Sequence, residues 1–191
     1  VTGCYAQLQP EQVSKIQGVD YVLGQEEKYS ITQLVDELCD SLEAQRIRVG
    51  KIREVEEFHG VHSGDDRTRC FIKVQDGCNY FCSYCTIPYA RGKSRNPWIS
   101  EVVEDAKKAL QEGAKELILT GVNIGDFGRS TGESFIELLR ALDELGDEAM
   151  RQEARGMDYR IRISSCEPNL LTDEIIDFVA QSKHFAPHFH I

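Results

Sequence analysis

Three cysteines fall within eight positions of the segment DGCNYFCSYCTIPYARGKSR, residues 76–95: Cys78, Cys82 and Cys85, spaced CxxxCxxC. In a chain with seven cysteines among 191 residues, that arrangement arises by chance only about 0.01 times. Thiols gathered so closely are read as metal ligands. A zinc ion that only holds a fold together closes its tetrahedron with four protein ligands, and the loop offers three. Cys70 completes the set only if its strand turns it toward the loop. A cubane iron–sulfur cluster takes one ligand per iron, so three cysteines leave one iron with an open position where a small molecule can bind and react. The count suits iron better, and zinc stays open as the alternative.

Two further loops hold residues able to do chemistry, GVNIGDFGRSTG and CEPNL, and HFHI closes the chain. GVNIGDFG does not spell GxGxxG and is no nucleotide fingerprint. Cys39 sits beside the helically spaced Ile31, Leu34, Val35 and Leu38 and is read, like Cys70 and Cys166, as a small core side chain. His184, His188 and His190 make a metal tract by composition alone; alternation at 188 and 190 in a strand points to packing or surface roles.

The elements that must position these loops follow from periodicity. Pro10 opens a short helix through Ile16, and DYVLG is a short buried strand ending at Gly24. From Asp40 to about Arg67 the chain is charged and reads as a linker or edge region. Beyond Arg69, strand, loop and helix alternate. CFIKVQ, KELILTG and YRIRISS are strands. SEVVEDAKKALQEG is a helix with Ser100 as N-cap and Gly113 past its last turn. The helix from Ser134 opens on a capping box and carries Leu138, Leu139, Leu142 and Leu145 on one side. TDEIIDFVAQS is a third helix, and HFHI begins a fourth strand. Repeated βα units imply a parallel sheet, doubly wound or barrel-like. In such folds ligand chemistry gathers at the carboxyl ends of the strands, where all three loops fall.

Hydrophobic residues at 41% and charged residues at 28% describe a globular chain. No apolar run approaches the roughly 20 residues of a membrane helix and no signal-peptide pattern opens the chain, so a cytoplasmic protein with no membrane partner is expected. A formal net charge of -10 argues against holding nucleic acid by bulk attraction, so any RNA contact must be local. Both ends read as cuts through a larger protein.

The cysteine loop, with Tyr84 directly before its last cysteine, resembles that of the radical S-adenosylmethionine enzymes. The resemblance implies a 4Fe–4S cluster whose free iron is chelated by the amino and carboxylate groups of S-adenosylmethionine, and one-electron cleavage of the sulfonium to a 5'-deoxyadenosyl radical. VTGCYAQ, GCNYFCSYCTIPYARGKSR, LTGVNIGDFG, RISSCEP and HFHI occur in the order found in the tRNA methylthiotransferases. IPYARG, without the Glu that other branches carry after that Arg-Gly, is most similar to the branch acting on N6-threonylcarbamoyladenosine at position 37; sister branches act on isopentenyladenosine or a ribosomal-protein aspartate. The fold implied is α/β. Residues 1–60 would be the tail of the N-terminal α/β methylthiotransferase domain plus a linker, and residues 61–191 the first half of an open radical-SAM (β/α) barrel.

Carried over residue by residue, the resemblance gives Cys78, Cys82 and Cys85 to the radical-generating cluster and Tyr84 to the adenine of the cofactor. Asn123, Ser165 and Glu167 become candidate polar contacts to S-adenosylmethionine, with turn and capping roles as the plain alternative. Cys4 matches the last of three ligands of a second 4Fe–4S cluster, the other two lying upstream. Arg91, Lys93 and Arg95 are aimed at substrate RNA or the cofactor carboxylate, the alternative being a solvated loop. The implied partners are tRNA and an electron donor such as a flavodoxin-type protein. Without the upstream ligands and the C-terminal RNA-binding domain, the isolated chain is not expected to perform the full reaction. The non-enzyme rival is a zinc-stabilised RNA-binding module.

Overall fold

The computed structural model describes residues 1–40, 46–61, 63, 68–152 and 159–191, with side chains described outside 36–40 and 146–152. In chain order the elements are α1 (Cys4–Leu8), α2 (Pro10–Ser14), β1 (Val22–Leu23), α3 (Ile31–Asp40), β2 (Ile47–Arg48), β3 (Arg69–Lys73), α4 (Ile87–Arg91), α5 (Ile99–Gln111), β4 (Glu116–Thr120), α6 (Phe135–Gln152), β5 (Arg160–Ile163) and α7 (Asp173–Gln181). They form two compact units, residues 1–56 with 77–93 and residues 57–76 with 94–191. By contact, the cysteine loop groups with the first unit.

In the first unit, β1 and β2 pair in parallel, Val22 opposite Ile47 and Leu23 opposite Arg48. Ala6, Val13 and Val22 form its small core, with Val19 and Ile47 against them. Strand β2 and a 3-10 turn at Ile52–Glu54 lie inside the stretch expected to be a linker. Arg46 and Arg48 flank Ile47 there, so a two-residue strand hides within a charged run. Helix α2 starts at Pro10 as expected but ends at Ser14. On α3 only Leu34 is buried among the described apolar side chains, while Ile31 and Val35 are exposed. The side chain of Cys39 lies outside the described residues.

Alternation organises the second unit. Cys70 and Ile72 of β3 stand in register with Leu117 and Leu119 of β4, and these with Ile161 and Ile163 of β5, in a parallel sheet ordered β3-β4-β5. All six are buried in one cluster with Val102 and Ala106 of α5, Leu138, Leu139 and Leu142 of α6, and Ile175 and Val179 of α7. The intervening positions carry Arg69, Phe71, Glu116, Ile118, Arg160 and Arg162, of which Arg69, Phe71 and Arg160 are exposed and Ile118 is buried. Helices on one face and a mostly charged second face match a barrel wall better than a doubly wound sheet, whose strands are apolar on both faces.

Helix ends obey local chemistry, with one correction. The N-cap of α5 is Trp98, not Ser100; the Glu101 carboxylate accepts from the Trp98 amide at 2.8 Å, and Glu133 accepts from Ile99 N at 3.0 Å. Ser134 and Glu137 form the expected capping box, with 2.7 Å from Ser134 N to Glu137 Oε2 and 3.4 Å from Glu137 N to Ser134 Oγ. Thr172 Oγ1 caps α7 by accepting from Ile175 N at 3.4 Å. Residues 61 and 63 cover the outer edge of β3 through Lys73 N to Val61 O and Ser63 N to Phe71 O. Where HFHI was expected to begin a fourth strand there is one isolated parallel bridge, Ser165 to His190, and a second lies upstream between Ile161 and Phe185.

One carboxylate ties the three strands together on the charged face. Glu116 Oε2 lies 2.6 Å from Arg69 Nε, and its Oε1 lies 2.8 Å from Arg162 Nε. Burial raises the Glu116 pKa, but the hydrogen bonds and charges of Arg162 and Arg69 prevail and hold it below the ordinary glutamate value. A depressed folded-state pKa contributes stability above the unfolded value that is lost as pH falls through the folded one. Glu116→Gln is therefore expected to lower the urea midpoint at neutral pH, with the gap to wild type closing as the pH falls below the ordinary glutamate range. A gap constant across that range would refute the assignment.

Candidate metal centre

The loop that carries the three thiols is fixed at its base by backbone. Cys78 N donates to Gly92 O at 3.0 Å, and Asp76 and Arg95 exchange N–H···O bonds of 3.0 and 2.9 Å. Gly77 and Gly92 have φ of 73° and 77°. A Cβ on Gly77 would overlap the Lys93 carbonyl oxygen, and one on Gly92 would sit 2.5 Å from Ile52 O, so only glycine fits either position. Within the loop Cys85 N donates to Cys82 O at 2.9 Å, and Phe81 adopts a left-handed φ of 49°, the one non-glycine residue to do so among the described residues.

Cys82 is exposed, Cys78 and Cys85 are half-buried, and all three are free thiols. Among the described residues no three thiols have sulfur atoms all within 4.8 Å of one another. A single tetrahedral zinc, with Zn–S of about 2.3 Å, would hold its sulfurs about 3.8 Å apart; thiolates bound to separate irons need not converge so closely. Three thiols on one glycine-pinned loop, none of them on a fully buried residue, fit a cluster that takes one thiolate per iron. Tyr84, beside them, is 87% exposed.

The other predicted residues divide between the units. Cys4, half-buried in the first unit, accepts a hydrogen bond from Gln25 Nε2 at 3.3 Å, and Lys28 Nζ donates to Gln25 Oε1 at 2.7 Å. Arg91 is half-buried and Lys93 exposed. Arg95 requires correction as an RNA candidate. It is 6% exposed, its Nε donates to Glu57 O at 2.9 Å, and its guanidinium lies 3.4 Å from Asp76 Oδ2, so it closes the loop and cannot reach a phosphate.

In the second unit, Asn123, Ser165 and Glu167 come together beyond the carboxyl ends of β4 and β5. Asn123 Oδ1 accepts from Glu167 N at 3.2 Å, Ser165 O accepts from Ile124 N at 2.9 Å, and Ser165 Oγ lies 3.5 Å from His190 Nδ1. Asn123 is buried, yet its Nδ2 has no protein partner, a state that calls for a polar ligand atom or water. Sequence reasoning missed two residues here. Gln75, fully buried, accepts from Val122 N and Asn123 N at 2.9 Å each and so fixes the turn. Asp126 is 2% exposed and pairs with Arg129 at 2.8 Å. A lone Gln after a strand carries no pattern that could have revealed the first.

Two further thiols, Cys70 and Cys166, are buried. Burial pushes the Cys70 and Cys166 thiols above their ordinary pKa, with Ser63 opposing at Cys70 and the Gly125 backbone at Cys166. Both therefore stay neutral thiols at neutral pH and poor metal donors. His184 stacks on Tyr159 with centroids 4.8 Å apart, and His188 and His190 are exposed.

An α/β protein with parallel βα units and an open three-thiol loop after the first strand of its larger sheet is the class that fold and site define. The chain belongs to the radical SAM superfamily, whose family model matches residues 72–191. Over its whole length it is 38% identical to a Bacillus subtilis protein named threonylcarbamoyladenosine tRNA methylthiotransferase MtaB, covering 41% of that protein. It is 34% identical to the Thermotoga maritima protein of the same name, covering 41%. It is 31% identical to a Fusobacterium nucleatum protein named tRNA-2-methylthio-N(6)-dimethylallyladenosine synthase, covering 42%. The chain thus spans about two fifths of the length of these relatives. Membership brings a 4Fe–4S cluster and S-adenosylmethionine as cofactors, which removes the zinc alternative. Among the described residues no helix is long and apolar enough to cross a membrane.

Anaerobic purification is expected to yield iron with acid-labile sulfide. Cys82→Ala should cut the iron several-fold and Gly77→Ala should lower it through the loop backbone, whereas Cys70→Ala should leave it unchanged. Stoichiometric zinc, or iron retained by Cys82→Ala, would count against the site.

Proposed function

We propose that the protein containing this chain transfers a methylthio group to C2 of N6-threonylcarbamoyladenosine at position 37 of tRNA. Similarity along the whole chain to relatives named for that activity carries the reading. The three-thiol loop supports it chemically. Residues 1–60 are assigned to the methylthiotransferase domain and 61–191 to the first half of the radical SAM core.

When bound, the cluster supplies the electron that opens the sulfonium of S-adenosylmethionine; the protein's part is to hold and orient. Cys78, Cys82 and Cys85 are the thiolate ligands. Tyr84 offers an uncovered ring to the adenine. Asn123, held by Gln75 through its own backbone, has a buried amide donor to give to a polar cofactor atom, and Ser165 and Glu167 are its neighbours. Cys4 contributes one ligand to a second cluster whose other thiolates come from elsewhere in the protein. The substrate partner is tRNA, the reductant a flavodoxin-type protein, and the compartment the cytoplasm.

A second reading, action on dimethylallyladenosine, has the Fusobacterium nucleatum relative behind it. Nucleoside analysis of tRNA incubated with the reconstituted full-length protein separates the two. The expected product is 2-methylthio-N6-threonylcarbamoyladenosine, with Asn123→Ala reducing its yield at least several-fold. Methylthiolation of dimethylallyladenosine instead would transfer the assignment to the sister branch.

A further inference from the structure

The positive charge of the first unit is segregated in a chain that is acidic overall. Residues 46–53, RIRVGKIR, hold four cations and no carboxylate, and residues 77–93 hold Arg91 and Lys93, again with no carboxylate. These stretches pack together, since the Ile52–Glu54 turn lies against α4 and Gly92 sits against Ile52 O. Where they meet, the Arg53 guanidinium lies 6.0 Å from the centre of the Tyr89 ring, and Phe81 meets Tyr89 edge-to-face at 5.6 Å. Tyr89 nevertheless stays 49% exposed, Phe81 52% and Tyr80 37%.

Not every cation there is available. Arg46 is committed to Asp20 O and Val19 O. Lys51 pairs with Glu54 at 3.1 Å, but both side chains are exposed and such a pair holds little. Lys51 stands at the start of the turn that carries Arg53, so both cations lie on the segment packed against α4 and the 49% exposed Tyr89. Cations beside open rings are what an unpaired nucleotide strand requires, phosphates on the charges and a base on the ring. An acidic protein would need the charge without the rings.

We infer that Tyr89, Lys51 and Arg53 bind an unpaired RNA segment of the substrate, the base stacking on Tyr89 and the phosphates meeting Lys51 and Arg53. The inference rests on the proposal that the substrate is a tRNA, and it goes beyond the Arg91, Lys93 and Arg95 cluster in placing the RNA on the Ile52–Glu54 turn and α4.

The test is tRNA binding by the full-length protein, measured by fluorescence anisotropy across a salt series, with iron content and thermal midpoint as controls on folding. Tyr89→Ala is expected to weaken binding about 5- to 100-fold, and Tyr89→Phe to restore it. Lys51→Ala with Arg53→Ala should reduce the slope of log affinity against log salt by about 0.7 for each phosphate no longer neutralised. Unchanged affinity and slope would overturn the inference. So would wild-type RNA affinity combined with slower reduction by an acidic flavoprotein, which would give the face to the electron donor. The two proposals fail separately. Wild-type product yield and affinity from Tyr89→Ala removes the RNA face alone, whereas Tyr89-dependent binding without methylthiolated threonylcarbamoyladenosine removes the substrate reading alone.

Discussion

The cysteine loop depends on a short antiparallel run of backbone at its base. Cys78 N reaches Gly92 O only because Gly77 and Gly92 take left-handed dihedrals that leave no room for a side chain. With the ends of the loop fixed, the three thiols are confined to one short stretch of chain on residues that are not fully buried. Metal ligation then costs less ordering entropy than it would on a free loop. Arg95 serves the same end. A guanidinium that the sequence offers as a nucleic-acid contact is instead buried against Asp76 and the Glu57 carbonyl, where removing it would leave a buried carboxylate with less compensation.

A comparable device orders the second unit. The Gln75 side chain leaves the end of β3 and accepts two successive amides of the loop after β4, while its own amide donates to Ser94 Oγ and Asp76 O. Asn123, placed by that bond, in turn accepts from Glu167 N in the loop after β5. A relay of side-chain amides thus crosses three strand ends. Gly121 belongs to it, since a Cβ there would press on the Gln75 carbonyl. Each amide in the relay uses an acceptor for the fold, and within it only Asn123 Nδ2 is left buried with no protein partner. The fold thereby consumes nearly all the relay's polar capacity at the strand ends and leaves one donor for a ligand.

Much of this was legible in sequence wherever a period or a cap spans many residues. The leucines of α6 at 138, 139, 142 and 145 are all buried as their spacing requires, and the Ser134–Glu137 box forms. What failed was short or non-local. Strand β2 is two residues long and has no period to read, and Trp98 displaces Ser100 as the cap because Glu101 and Glu133, the latter 34 residues from Ile99, hold the amides. Of the site, the three-thiol loop was visible in its spacing, and Asn123 was a candidate only through the family resemblance. Gln75 and the burial of Arg95 were not, because both depend on partners that only tertiary packing supplies.

The chain also separates its cysteines by solvation. A thiol must lose its proton to bind metal, and removing a thiol from water opposes that loss. Cys70 lies with Ile72 and Leu117 in the apolar cluster, and Cys166 lies under Gly125, so burial keeps both protonated. Cys78, Cys82 and Cys85 lie on a loop where none of them is fully buried. The same side chain therefore packs in the core in one place and stays at least partly open to solvent in another, and burial separates the two groups. Cys70 and Cys166 are out of reach of a metal delivered to the folded chain, while none of the three loop cysteines is fully buried.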